Sequence, residues 1–177
     1  QEVRSRLEDC LFAEGRETME EVVGRLLVEQ KFTVAVAESC TGGLIGHRLT
    51  LVPGSSAYVD RGAITYSNQS KVEMLGVPEA LISKHGAVSA EVAAAMARGI
   101  RERAGTSVGL SVTGIAGPGG ATDTKPVGLV YIGLDGGAGR AITKECRFHG
   151  DRSVIKQRSS QAALDLLRLW LIDRGRT

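Results

Sequence analysis

Apolar positions along the chain alternate between two periods. Met19, Val22, Val23, Leu26 and Leu27 recur at helical spacing behind a capping-box pair, Thr18 and Glu21, and predict a first helix with one apolar stripe. The run Phe32-Thr33-Val34-Ala35-Val36-Ala37 predicts a buried strand, and Leu44-Ile45-Gly46-His47-Arg48-Leu49 a short helix. Pro53-Gly54-Ser55-Ser56 marks a turn before a second strand between Ala57 and Tyr66, and Asn68 stands where it would cap a short helix running to Gly76. Ser89 caps a further helix, Ala90 to Ala104, with Val92, Met96 and Ile100 on one face and Gly105 as its stop. Val108-Gly109-Leu110-Ser111-Val112 is a second buried-strand run. Val127 to Leu134, the turn Asp135-Gly136-Gly137-Ala138-Gly139 and a return through Phe148 predict an antiparallel pair. Asp151 caps a last helix that ends near Gly175, with Leu164, Leu167 and Leu171 on its apolar side. The pattern predicts an α/β fold: three layers, α/β/α, around a mixed, largely parallel sheet with a C-terminal antiparallel strand pair.

Polar chemistry gathers where strands end. Ala37-Glu38-Ser39-Cys40-Thr41-Gly42-Gly43 joins the first strand to a helix, so Ser39, Cys40 and Thr41 bring three hydroxyl or thiol groups to a strand-to-helix turn. Its glycines allow close approach of a ligand, and the first amides of the next helix are expected to point outward as anion or oxyanion donors. Thr and Gly also serve such turns purely as cap and bend, so the turn alone does not fix a chemistry. It is not a phosphate-binding P-loop, because no Lys-Ser or Lys-Thr pair follows the glycines. The second buried strand opens into another glycine-rich loop, Thr113-Gly114-Ile115-Ala116-Gly117-Pro118-Gly119-Gly120. Ligands of open α/β sheets sit beyond the carboxyl ends of parallel strands, which makes the two loops candidate walls of one site. Lys71 falls one turn into its helix and Arg152 in the first turn of the last one.

Composition narrows the class. A chain of 177 residues with 42% hydrophobic content suits one soluble domain, and no apolar run reaches the roughly 18 residues of a membrane span. Lys and Arg number 22 against 20 Asp and Glu, with 4% aromatic residues, which gives no direct sign of nucleic-acid binding. Cys10, Cys40 and Cys146 are an odd, scattered set, as expected of a reducing cytoplasm. His47, His85 and His149 have no metal-ligand spacing, and no metal is expected.

Seven segments in order carry a family resemblance: Ala37 to Gly43, Pro53 to Ser56, Tyr66-Ser67-Asn68 with Lys71, His85-Gly86-Ala87-Val88-Ser89, Thr113 to Pro118, Lys125-Pro126-Val127-Gly128, and Gly150-Asp151-Arg152. Over roughly residues 17–175 the chain resembles the C-terminal domain of the competence/damage-inducible CinA family. The resemblance implies a nicotinamide mononucleotide deamidase, a hydrolase that releases nicotinate mononucleotide and ammonia without metal or cofactor. It implies Ser39 as nucleophile and Lys71 as its base, with Tyr66, Thr113 and Arg152 around the substrate. Amides at Thr41, Gly42 and Gly43 or at Thr113 and Gly114 would hold the oxyanion, and Arg152 the phosphate. Residues 1–16 resemble the stretch that joins such a domain to an N-terminal molybdopterin-binding-like domain, leaving 17–177 as the amidohydrolase domain. Self-association as a dimer is also implied. The alternative is a non-catalytic nucleotide-binding or regulatory module linked to competence or DNA damage, for which a serine–lysine pair would be superfluous.

Overall fold

The protein is described by a computed structural model that covers residues 12, 15–137 and 141–175. Nearly all of the segment read as a lead-in, Cys10 included, lies outside the described residues, as do Ala138 and Gly139 of the expected turn. Thr18 and Glu21 form the reciprocal capping box and start α1 (Met19–Glu29). The chain continues through β1 (Val34–Glu38), α2 (Leu44–Thr50), β2 (Val59–Ile64), α3 (Asn68–Leu75), α4 (Glu79–His85) and α5 (Ala90–Ala104). It closes with β3 (Val108–Gly114), β4 (Leu129–Asp135), β5 (Ala141–Arg147) and α6 (Arg152–Gly175). Two local expectations shift. Ser67, not Asn68, caps α3, because its hydroxyl accepts from the Ser70 amide and Ser70 answers with its own hydroxyl. Helix α4 had no apolar period long enough to announce it.

The strands form one sheet in the order β2-β1-β3-β4-β5. The β1–β2 and β1–β3 ladders are parallel, and β3–β4 and β4–β5 antiparallel. The sheet is therefore mixed in equal parts rather than largely parallel: residues 115–128 join β3 to β4 without a crossover helix, so β4 must run back beside β3. This arrangement gathers the functional end of the molecule. The carboxyl ends of β1, β2 and β3, the start of β4 and the end of β5 all lie on one edge, and β5 delivers the first turn of α6 there.

Side-chain alternation separates two unequal cores. On one face Val34, Val36, Val108, Leu110, Val112, Ile132 and Leu134 pack with Leu27, Ile45, Leu164 and Leu167 from α1, α2 and α6. On the other, Ala35 and Ala37 meet Val92, Met96 and Ile100 of α5. Small residues let α5 press its backbone against the strands. A Cβ on Gly109 would stand 2.1 Å from the Ala97 carbonyl oxygen, and one on Gly133 2.4 Å from that of Ala93. Ser111 fills the gap between them with a hydroxyl that donates to the Ala93 carbonyl at 2.6 Å. No helix among the described residues is long and apolar enough to cross a membrane.

Because the obstacle at Gly109 is helix backbone, Gly109→Ala is expected to force α5 off the sheet and to cost on the order of 2 kcal/mol. Urea unfolding checks this; an unchanged midpoint would show that α5 is not seated so closely.

Candidate active site

The turn after β1 is built from the alternation of the strand itself. Ser39 continues the β1 register, its amide donating to the Val112 carbonyl at 3.0 Å, and the Gly42 amide closes the turn on the Ser39 carbonyl at 3.1 Å. Glu38 points to the α2 side, where its buried carboxylate accepts from the amides of Gly43 (3.0 Å), Ile45 (3.1 Å) and Gly46 (2.8 Å). Those amides are the ones that the sequence left free for an anion. The protein's own carboxylate fills the helix terminus instead, which satisfies both a buried charge and orphan donors. The Gly42 and Gly43 amides are thus unavailable to an oxyanion; among the turn's amides, those of Cys40 and Thr41 have no described partner. Glu38 was legible only as an acid one residue before the hydroxyl cluster, and its role escaped the sequence reading.

Ser39 and Cys40 part company at the sheet. The Cys40 side chain packs into the larger core, and burial pushes its thiol up to about 12. Ser39 faces α3, where Lys71 is fully buried. Lys71 Nζ lies 3.2 Å from Ser39 Oγ, 2.8 Å from the Thr65 carbonyl and 3.4 Å from that of Ser67. Among the described residues no carboxylate pairs with it. Desolvation lowers the Lys71 pKa, and the opposing pull of a Cys40 thiolate is absent near neutrality because that thiol keeps its proton.

Six of the expected residues line one cavity of about 220 Å³: Ser39, Tyr66, Lys71, Thr113, Gly114 and Arg152. Thr113 is buried and donates through Oγ1 to the Ala87 carbonyl at 2.8 Å, tying β3 to the loop before α5. Lys125 Nζ holds the same loop through the Val88 carbonyl, at 2.7 Å, and the His85 carbonyl. Arg152 reaches across the mouth, donating to the Gly117 carbonyl at 2.9 Å and to the exposed Tyr66 hydroxyl at 2.6 Å. Thr41, Gly42 and Gly43 line a different, adjoining cavity of about 580 Å³ with His47, Arg152 and Lys156, and Arg152 belongs to both. Lys156, one helical turn beyond Arg152, was not singled out in the sequence, although a four-residue spacing sets both on one helix face. Among the described residues no three His, Cys, Asp or Glu side chains group as a metal would require.

An α/β domain with a buried serine–lysine pair at the carboxyl edge of its parallel strands defines the class. Residues 16–171 match the family model of the CinA C-terminal domain, and the chain belongs to that family. It is 53% identical over 177 residues to a CinA-like protein of Citrifermentans bemidjiense, covering 99% of this chain and 42% of that one. A putative competence-damage inducible protein of Moorella thermoacetica is 52% identical over 165 residues, 93% of this chain and 40% of its own length. The chain thus spans about two fifths of these relatives. Among solved structures, the competence/damage inducible protein CihA of Agrobacterium tumefaciens superposes with a TM-score of 0.81 at 38% identity, covering 90% of this chain and 99% of that one. A CinA superfamily protein of Klebsiella pneumoniae gives 0.84 at 29% identity, covering 89% and 99%.

Two outcomes test the site as built. Glu38→Ala strips three amides of their acceptor and is expected to cost on the order of 3 kcal/mol in guanidinium unfolding; a loss near zero would mean that water replaces the carboxylate. For Lys71, the folded pKa lies below the unfolded value of about 10.4, so between the two the unfolded chain holds a proton that the folded one has released. Stability therefore rises with pH through that window. Relative to Lys71→Met, wild-type unfolding midpoints should climb as pH is raised toward about 10. Parallel profiles would refute the depressed lysine.

Proposed function

We propose that this domain is a metal-independent amidohydrolase that deamidates nicotinamide mononucleotide to nicotinate mononucleotide and ammonia through Ser39 and Lys71. The observation that carries the reading is the set of contacts around Lys71 Nζ. Lys71 Nζ donates to the Ser39 hydroxyl and to the carbonyls of Thr65 and Ser67, and loss of one proton would leave two N–H donors for the carbonyls and a lone pair toward Ser39 Oγ. Among the described residues no carboxylate pairs with an ammonium in this desolvated site, which lowers the lysine pKa and favours its basic form beside a protonated serine.

In the first step Ser39 Oγ bonds to the carboxamide carbon while its proton passes to Lys71. The oxyanion so formed is held by the amides of Cys40 and Thr41, next after the nucleophile in the chain. Lys71 then protonates the departing nitrogen, the C–N bond breaks, and ammonia leaves an acyl-serine. Water, losing its proton to Lys71, opens that ester to the nicotinate carboxylate and restores Ser39. Tyr66 and Arg152 close the mouth of the catalytic cavity, and Thr113 supports its wall. A cytoplasmic setting, dimeric assembly and a molybdopterin-binding-like N-terminal domain complete this reading of the whole protein; the first accords with the free thiols of Cys40 and Cys146. A binding or regulatory module has no use for a buried, unpaired lysine aimed at a serine, which sets that reading second.

Purified protein given nicotinamide mononucleotide should release ammonia and nicotinate mononucleotide in equal amounts, and no release would return the domain to the binding-module reading. Ser39→Ala and Lys71→Ala should each lower kcat by on the order of 10³-fold, with the double variant little worse than either. Cys40→Ala should lose far less. An inactive Cys40→Ala beside an active Ser39→Ala would transfer the nucleophile to the thiol. Activity should rise with pH through the Lys71 pKa, on the acid side of lysine's usual value, because only the neutral amine accepts the serine proton.

A further inference from the structure

The catalytic cavity, at about 220 Å³, is smaller than the roughly 300–1,000 Å³ of typical small-molecule sites, and a nucleotide bound there must extend beyond it. The adjoining 580 Å³ cavity shares Arg152 with it. We propose that this second cavity seats the phosphomonoester of the substrate, with Lys156 as its cation and the Gly42–Gly43 turn and His47 as its floor. The inference rests on the amidohydrolase reading and deepens it by naming the residue that selects a phosphorylated substrate.

Four observations carry it. First, Lys156 is half-buried and has no carboxylate partner among the described residues, whereas nearby Arg48 is engaged by Glu20 at 2.7 Å as well as by Ser160 and Gln161. Second, its ammonium stands over a bare stretch of backbone: a Cβ on Gly42 would come within 3.5 Å of Nζ, and Gly42 and Gly43 hold φ of +62° and +95°. Third, the competing seats are taken. Glu38 occupies the amides that open α2, the Asp151 carboxylate accepts from the Val154 amide at the start of α6, and Arg152 already donates to Gly117 and Tyr66. No acidic residue among those described lines the cavity, while Arg152, Lys156 and the imidazole of His47 do. Fourth, the reach is right. The hydrogen bond from the Gly42 amide to the Ser39 carbonyl makes Ser39 to Gly42 a tight turn whose end Cα atoms lie within about 7 Å, so one ligand can enter both cavities, its pyridine ring and ribose lying between the amide at Ser39 and a phosphate over Gly42.

The test compares nicotinamide mononucleotide with nicotinamide riboside as substrates, and ribose 5-phosphate with ribose as ligands followed by NMR. Wild type should bind ribose 5-phosphate and not ribose, with shifts at His47 and Gly42. Lys156→Met should weaken ribose 5-phosphate binding and lower the mononucleotide-to-riboside ratio of kcat/KM, each by on the order of tenfold or more, with the change falling mainly on KM; Lys156→Arg should restore most of both. An unchanged ratio and unchanged ribose 5-phosphate affinity in Lys156→Met would overturn the seat. If neither amide is turned over but ribose 5-phosphate binds with the same dependence on Lys156, the seat stands and the amidohydrolase reading falls.

Discussion

The alternation of side chains across the end of β1 is the constraint on which the site depends. Glu38, Ser39 and Cys40 are consecutive: the strand alternation sends Glu38 and Ser39 to opposite faces, and the turn that starts at Ser39 carries Cys40 back to the face of Glu38. Glu38 therefore meets the first amides of α2 and locks the turn from one side, and Cys40 sinks into the larger core. Ser39, between them, is the one that faces Lys71. A slip of one residue would exchange the faces: a thiol would meet the lysine, and a carboxylate would lose its three amides. Which of the two side chains meets Lys71 is thus a property of strand register more than of intrinsic reactivity.

The thin core on the α5 side makes this geometry possible. Alanine, glycine and serine on the sheet draw α5 close, and the Leu75 carbonyl of α3 in turn sits where a Cβ on Gly99 would fall, 2.0 Å away. Helix α3 is thereby pinned beside the carboxyl ends of β1 and β2, and Lys71 is buried there with no carboxylate paired to it among the described residues. Burial of an amine without a counter-ion lowers its pKa, so packing shifts the residue toward its neutral form. The same desolvation weakens the fold at low pH, where the proton must be held in that site.

The equal mix of parallel and antiparallel ladders has a functional sense as well. Two antiparallel returns bring the chain back to the edge from which it left at β3, and α6 begins there. A crossover helix after β3 would have started the next strand at the far edge. The return places Arg152 and Lys156 beside the β1 turn, although more than a hundred residues separate them from it in the chain.

Periodicity and punctuation in the sequence determined the layers, the boundaries of most elements and the two glycine-rich strand ends. Those signals are local: a capping box, an apolar period and a glycine stop act within a few residues of each other. The family resemblance pointed to Ser39, Lys71, Tyr66, Thr113 and Arg152, and all five line one cavity. Tertiary structure alone decided what each group meets. Glu38 could fill the helix terminus only once α2 folded back over it, and Thr41, Gly42 and Gly43 turned to a second cavity because Gly42 closes on Ser39. Lys71 became a buried amine beside Ser39 only when α3 docked on α5, and Lys156 came to stand over Gly42 only when β5 returned α6 to the turn. Burial and long-range proximity are properties of the packed chain, and no spacing within a single segment encodes them.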